Sequence, residues 1–131
     1  MTPVGGFGSG SRSPTLRYRQ IDLASRVEGS TPHMLVAMLY EELSVVLDVF
    51  ARAIEGDSRR IIQQHERADS ILHALEAGLD HVGGGELALS LGGIYRQMRR
   101  RLLAARGGDC AALAEVRAGV KSLAAAWSAI A

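Results

Sequence analysis

From Pro32 to the end of the chain, apolar residues recur at steps of three and four, the spacing of one face of an α-helix. Leu35, Leu39, Leu43, Val46, Phe50 and Ala53 make a first stripe, and Ile61, His65, Ala68, Leu72, Leu75 and Leu79 a second. Leu87, Leu91, Ile94, Met98 and Leu102 follow as a third, and Leu113, Val116, Val120, Leu123, Trp127 and Ile130 as a fourth. The stripes are separated by helix punctuation. Thr31 is placed to cap the first helix, with Pro32 at its first turn, where a missing N–H costs nothing. Gly56-Asp57, Gly83-Gly84-Gly85 and Gly107-Gly108-Asp109 break the pattern, with Asp57 (or Ser58) and Asp109 as the next caps and Glu86 placing negative charge at a helix start. The pattern predicts helices over about 31–55, 58–81, 86–106 and 109–130.

Helices of roughly 20–24 residues are about 30–36 Å long. Each carries one apolar stripe, and the connections are short, which forces neighbours to run antiparallel. The expected fold is therefore all-α, an antiparallel up-down-up-down four-helix bundle. The third stripe is the expected inner face of its helix. Beside the stripes lie further apolar residues: Val45 and Leu47, Ile62 and Ile71, and Leu89, Tyr95 and Leu103. They either widen the core face or form a groove for another amphipathic segment. Ahead of the bundle, residues 1–14 are rich in Gly, Ser and Pro and read as a flexible arm. Residues 15–28 carry Leu16, Tyr18, Ile21, Leu23 and Val27 without one clean period and read as a short segment lying over the bundle, so the folded body spans 15–131.

Composition narrows the function classes. The chain has 131 residues, 47% hydrophobic and 22% charged, enough for one domain with a true core. A net charge of +1 calls for no anionic partner, and the aromatic platforms of nucleic-acid binders are missing. Arg96, Arg99, Arg100, Arg101 and Arg106 make the third helix basic toward its C-terminus, where they complement the helix dipole. The single Cys110 excludes an intrachain disulfide framework and suits a reducing compartment. No apolar run is long enough to cross a membrane, and the N-terminus lacks the apolar core of a secretory signal. A cytoplasmic location without membrane insertion is the expectation.

Catalytic chemistry finds little support. A di-iron bundle needs Glu-x-x-His pairs on facing helices, and none occurs. Successive steps of eight separate His65, His73 and His81, so they drift around the helix and share no ligand face. Glu66, Asp69 and His73 do share a face, for which a solvated polar surface is the simpler reading. His65 on the apolar stripe is expected to be a packed histidine. Cys110 near a helix start has no recognisable base, and Gly83-Gly84-Gly85 lacks the features of a phosphate loop. No enzyme, metal or cofactor is implied.

The wording of particular stretches is more specific. Gly84-Gly85-Glu86-Leu87-Ala88-x-Ser90-Leu91-x-x-Ile94-Tyr95-x-x-Met98-x-x-x-Leu102 resembles the signature of the FliS family, the bacterial flagellar secretion chaperones. Thr31-Pro32-x-x-Leu35-Val36-x-Met38-Leu39-Tyr40 resembles that family's first-helix opening, and Ala68-Asp69-Ser70-Ile71-Leu72 with Leu75 and Gly78-Leu79-Asp80 its second helix. Val116 to Trp127 is similar to its last helix, and Tyr18-Arg19-Gln20 to its N-terminal segment, so the matches keep the family's order over about residues 18–130.

The resemblance implies a non-enzymatic export chaperone whose client is flagellin, held in the cytoplasm by its polymerisation-prone C-terminal segment before type III secretion. It implies an N-terminal lid that covers part of the client surface and moves aside. The lid residue it points to is Tyr18, with Leu16 and Ile21 as its neighbours by local reading; on the bundle, Tyr40 from the matched first-helix opening and Ile62, Leu89 and Tyr95 from the apolar positions beside the stripes are the candidate client contacts. The family is also linked to the export-gate membrane protein and, in some bacteria, to regulatory partners. A monomer or weak homodimer is expected, and a secretion adaptor with a non-flagellin client is the alternative. Three departures stand out: Gly92-Gly93 inside the third helix, Glu41-Glu42 after Tyr40, and the long Gly/Ser-rich arm. Each helical glycine costs about 1 kcal/mol relative to alanine unless close approach of a neighbour offsets it.

Overall fold

In the computed structural model, residue 29 and residues 31–80 and 83–130 are described. The proposed arm (1–14) and lid (15–28, including Leu16, Tyr18 and Ile21) lie outside them. Four helices and no strand occur among the described residues: α1 Pro32–Ala53, α2 Ser58–Ala77, α3 Gly85–Arg106 and α4 Cys110–Ile130. By its contacts the chain divides into Met1–Leu35 and Val36–Ala131. Within the first unit, the Thr31 side-chain oxygen accepts from the Met34 N–H at 3.2 Å, as its place before Pro32 led us to expect.

The second unit holds the helical bundle, and its helix ends follow from local chemistry. Asp57 caps α2 through its carboxylate, which accepts from Arg60 N–H at 3.1 Å. Asp109 does the same for α4, accepting from Ala112 N–H at 3.0 Å. The C-terminus of α3 closes in a Schellman motif: Asp109 N–H donates to Ala104 C=O at 3.1 Å and Gly108 N–H to Ala105 C=O at 3.0 Å. That turn places Gly108 at φ +115°, a conformation available to glycine at little cost. α2 ends at Ala77, short of the expected 81. Gly78 weakens the helix there, and its N–H closes the last turn on Ala74 C=O at 3.1 Å.

Cross-helix partners give the directions. Moving forward along α1 from Tyr40 to Asp48 moves backward along α4 from Trp127 to Arg117. Glu76 of α2 meets Arg96 of α3, whereas the earlier Asp69 meets the later Arg99. Arg101 of α3 bonds Glu115 of α4, and Met98 lies against the later Gly119. Neighbouring helices therefore run antiparallel, and α1 and α3 lie across the bundle from one another. The expected up-down-up-down order is the one observed.

Leu43, Leu47 and Phe50 of α1, Leu72 of α2, Leu102 of α3 and Val116 of α4 fill the centre with almost no exposed surface. Each large side chain of this kind contributes about 1.5–3 kcal/mol relative to leaving it in water. The first, second and fourth stripes predicted from sequence supply much of this core. Glu42, one of the unusual pair after Tyr40, is buried at the α1/α2 seam, where Arg67 donates to it at 2.9 Å.

The third helix is turned relative to the expectation. Its buried residues are Ala88, Gly92, Tyr95, Met98, Leu102 and Ala105, at steps of four, three, three, four and three. Leu87 and Ile94, expected inside, are instead exposed, and Tyr95, expected on a flank, is 1% exposed. Small residues take the place of large ones inside: Ala88, Gly92 and Ala105 are buried on the inner face of α3, and Leu87, Leu89, Ile94 and Leu103 lie on its outer side. At Gly92 the position of a Cβ lies 3.5 Å from the Leu79 methyl and 3.2 Å from the Arg96 guanidinium. At Gly119 it lies only 2.9 Å from the Met98 methyl. Gly119 thus makes room for Met98 of α3, whereas Gly92 faces Leu79, beyond the end of α2, and Arg96 of its own helix.

Candidate functional site

The residues expected to meet a client separate into two groups. Leu89 of α3 is 65% exposed and Ile62 of α2 is 42% exposed, so both present apolar surface. Tyr40 and Tyr95 are each 1% exposed, and neither offers a side chain to an incoming segment in this conformation. They meet inside the bundle, where their hydroxyl oxygens are 2.6 Å apart. The edge of Trp127 closes on Tyr40, with ring centroids 6.3 Å apart at 90°. Burial pushes both phenols above their ordinary pKa of about 10, so each stays protonated and one hydroxyl donates to the other. Leu47 and Ile71, also considered for a binding flank, are buried, whereas Leu103 is exposed.

What replaces Tyr95 on the surface is the remainder of α3. Leu87, Leu89, Ile94 and Leu103 are exposed, and Leu87 and Ile94 are residues the stripe argument had assigned to the core. Leu87 and Ile94, seven residues apart, fall on one side of the helix, where a contiguous apolar patch marks an interaction site. Along the α4 side of this helix runs an open groove of about 520 Å³, lined by Ser90, Gly93, Ile94, Gln97, Met98 and Arg101 with Glu115 and Val116 of α4. Arg101 and Glu115 bond each other at 2.8 Å, so they bring no unpaired charge to it.

The α2 side of α3 has the opposite character. A second groove, about 390 Å³, is lined by His65 and Asp69 of α2 and by Arg96, Arg99, Arg100 and Leu103 of α3. Arg96 and Arg99 are held by Glu76 at 2.9 and 3.3 Å, and Arg99 also by Asp69 at 3.2 Å. The bond from Arg96 holds the Glu76 carboxyl below its ordinary pKa. Arg106 lies 3.1 Å from Nδ1 of His65. A guanidinium only donates, so that nitrogen accepts and the imidazole is neutral with its proton on Nε2. Burial lowers the His65 pKa, Arg106 lowers it further, and Asp69 and Glu66 oppose both. The histidine is thus a packed structural group, edge-on to Phe50 at 6.4 Å. No cluster of three or more His, Cys, Asp or Glu that could hold a metal occurs among the described residues, and Cys110 is an exposed free thiol. No helix among them is long and apolar enough to cross a membrane.

Comparison with known proteins indicates the family. The sequence model of the family described as "Flagellar protein FliS" matches residues 15–131. The chain belongs to the FliS family. Its sequence is 36% identical over 117 residues to the "Flagellar secretion chaperone FliS" of Salmonella typhimurium (strain LT2), covering 86% of each chain. The FliS match includes residues 15–28, the stretch read from sequence as a lid, together with all four helices.

Leu87 and Ile94 on the exposed edge of α3 were missed by the sequence argument because it ranked positions by side-chain hydrophobicity. A second helical face, Ala88–Gly92–Tyr95–Met98/Arg99–Leu102, was present in the same FliS-like stretch. Its small residues were the available signal.

Proposed function

We propose that this protein is a flagellar export chaperone that holds the C-terminal segment of flagellin in the cytoplasm, prevents its premature polymerisation and assists its passage through the flagellar type III secretion system. The observation that carries this reading is the exposed apolar side chains of α3 beside an open groove whose two charges are paired, in a chain of the FliS family. A polymerisation-prone segment is apolar along one face. Leu87, Leu89 and Ile94 of α3, with Ile62 of α2 as a further contact, give such a face surface to bury, at about 1.5–3 kcal/mol for each fully covered side chain. Tyr40 and Tyr95 contribute from behind this surface by tying α3 to α1.

Leu16, Tyr18 and Ile21 act in this reading as a lid that competes with the client. Being tethered, the lid works at an effective concentration in the millimolar range, strong enough to mask an empty surface and weak enough for a longer client segment to displace. The loaded chaperone then meets the export gate. The reading is tested by light scattering of flagellin from the same organism seeded with filament fragments. The wild-type protein should hold flagellin unpolymerised near equimolar ratio, and the double variant L89E/I94E should fail to do so while keeping its melting temperature. Undiminished polymerisation in the presence of the wild type refutes the proposal.

A further inference from the structure

Of the three glycines in the interiors of α3 and α4, two have side chains standing against them and one does not. Gly92 faces Leu79, and Gly119 receives the end of Met98. Around Gly93, by contrast, apart from its chain neighbours and its own helix backbone, no atom lies within 4 Å of where a Cβ would stand. Alanine would fit without strain and would favour the helix, so nothing within the folded bundle calls for a glycine here. The surroundings of Gly93 supply what the bundle does not. It lines the α3/α4 groove with Ser90, Ile94 and Gln97. Leu89, one turn earlier, and Ile94, the next residue, are both exposed large side chains beside it. The result is a notch of bare backbone between two apolar ridges.

We propose that Gly93 is the point of closest approach of the bound client: a helix of the exported segment crosses α3 there, with a small residue of its own facing the glycine and apolar residues against Leu89 and Ile94. Helices whose crossing point carries full-sized side chains pack about 8–10 Å apart, and a glycine lets the partner come nearer. The groove residues from Ser90 to Arg101 span about three helical turns, enough to seat an occupant of similar length. Arg101 and Glu115 neutralise one another at the rim, and Ser90 and Gln97 are uncharged, so the occupant's facing residues are neutral. The groove on the α2 side differs in carrying three arginines, of which Arg96 and Arg99 are paired with Glu76 and Asp69. The inference rests on the client reading above and adds to it the contact point and the kind of helix that fits.

The test uses the full-length chaperone and a synthetic C-terminal segment of flagellin from the same organism, with binding measured by calorimetry and folding by thermal melts. G93A should raise the melting temperature by about 4 °C and yet weaken binding about fivefold or more. G93L should weaken binding about a hundredfold while remaining folded. A104L, a substitution at an exposed position farther along α3 and outside the groove, should leave affinity unchanged. A gain in stability with unaltered affinity in G93A and G93L overturns the notch while leaving the client reading intact, as does an equal loss of affinity in A104L. Absence of binding by the wild type overturns both.

Discussion

Replacing Tyr95 with phenylalanine should destabilise the bundle more than replacing both members of the Tyr40–Tyr95 pair. The two hydroxyls are 2.6 Å apart in a region where each ring is 1% exposed. Y95F removes one hydroxyl and strands the other in an apolar setting, where an unpaired buried polar group costs about 1–3 kcal/mol. Y40F should do the same from the α1 side. In Y40F/Y95F neither ring has a polar atom left to satisfy, and the loss should fall below that of either single variant. Urea unfolding at neutral pH gives the free energies, and the double-mutant cycle isolates the coupling. In thermal melts the single variants should drop by about 4–12 °C, taking about 4 °C per kcal/mol for a body of this size. A pH titration adds an independent check. Both phenols are raised in the folded state, so the stabilisation they bring is complete below pH 10 and disappears as pH rises through their folded values. Their absorbance change should therefore coincide with alkaline unfolding. Additive single-variant effects, or a double variant as weak as their sum, would refute the view that this hydrogen bond fastens α1 to α3.

Two further outcomes follow from the structure and the sequence. His65 is neutral and bonded to Arg106, with a pKa lowered by burial, so its contribution is present above the unfolded histidine value of about 6.5 and is lost as pH falls through and below that value. The urea midpoint should fall between pH 8 and pH 5 in the wild type and fall less in H65Q; an unchanged slope in H65Q would exclude the histidine as the source. Deleting residues 1–23 should raise binding of a hydrophobic dye and change flagellin affinity, because the Leu16–Ile21 stretch is lost. If the truncated protein matches the full chain in both measurements, the lid has no role.

Much of the bundle was legible in the sequence because its ends are written in local chemistry. Asp57 and Asp109 cap α2 and α4 through bonds reaching three residues ahead, and the glycines between helices stand where the chain must turn. The first, second and fourth apolar stripes gave most of their core faces directly; Ile130, at the last turn of α4, was expected inside and is 62% exposed. The face of α3 was not legible in the same way. Its inner side carries Ala88, Gly92 and Ala105, and which side turns inward is a property of the assembled bundle, invisible to a ranking by hydrophobicity. The same holds for Tyr95. A tyrosine beside a leucine stripe reads as a flank until a second hydroxyl, 55 residues earlier in the chain, is brought to meet it. Leu89 and Ile62 needed no such partner, and their exposure agrees with the sequence reading.

The central claim is that this FliS-family bundle receives the C-terminal segment of flagellin, and a calorimetric titration tests it most directly. The full-length chaperone is titrated with that segment from the same organism's flagellin, at protein concentrations of tens of micromolar. The account predicts saturable binding at a one-to-one ratio, tighter than about 10 μM, equivalent to about 7 kcal/mol or more, and accompanied by the negative heat-capacity change of apolar burial. No measurable heat of binding at those concentrations and at two temperatures would contradict it.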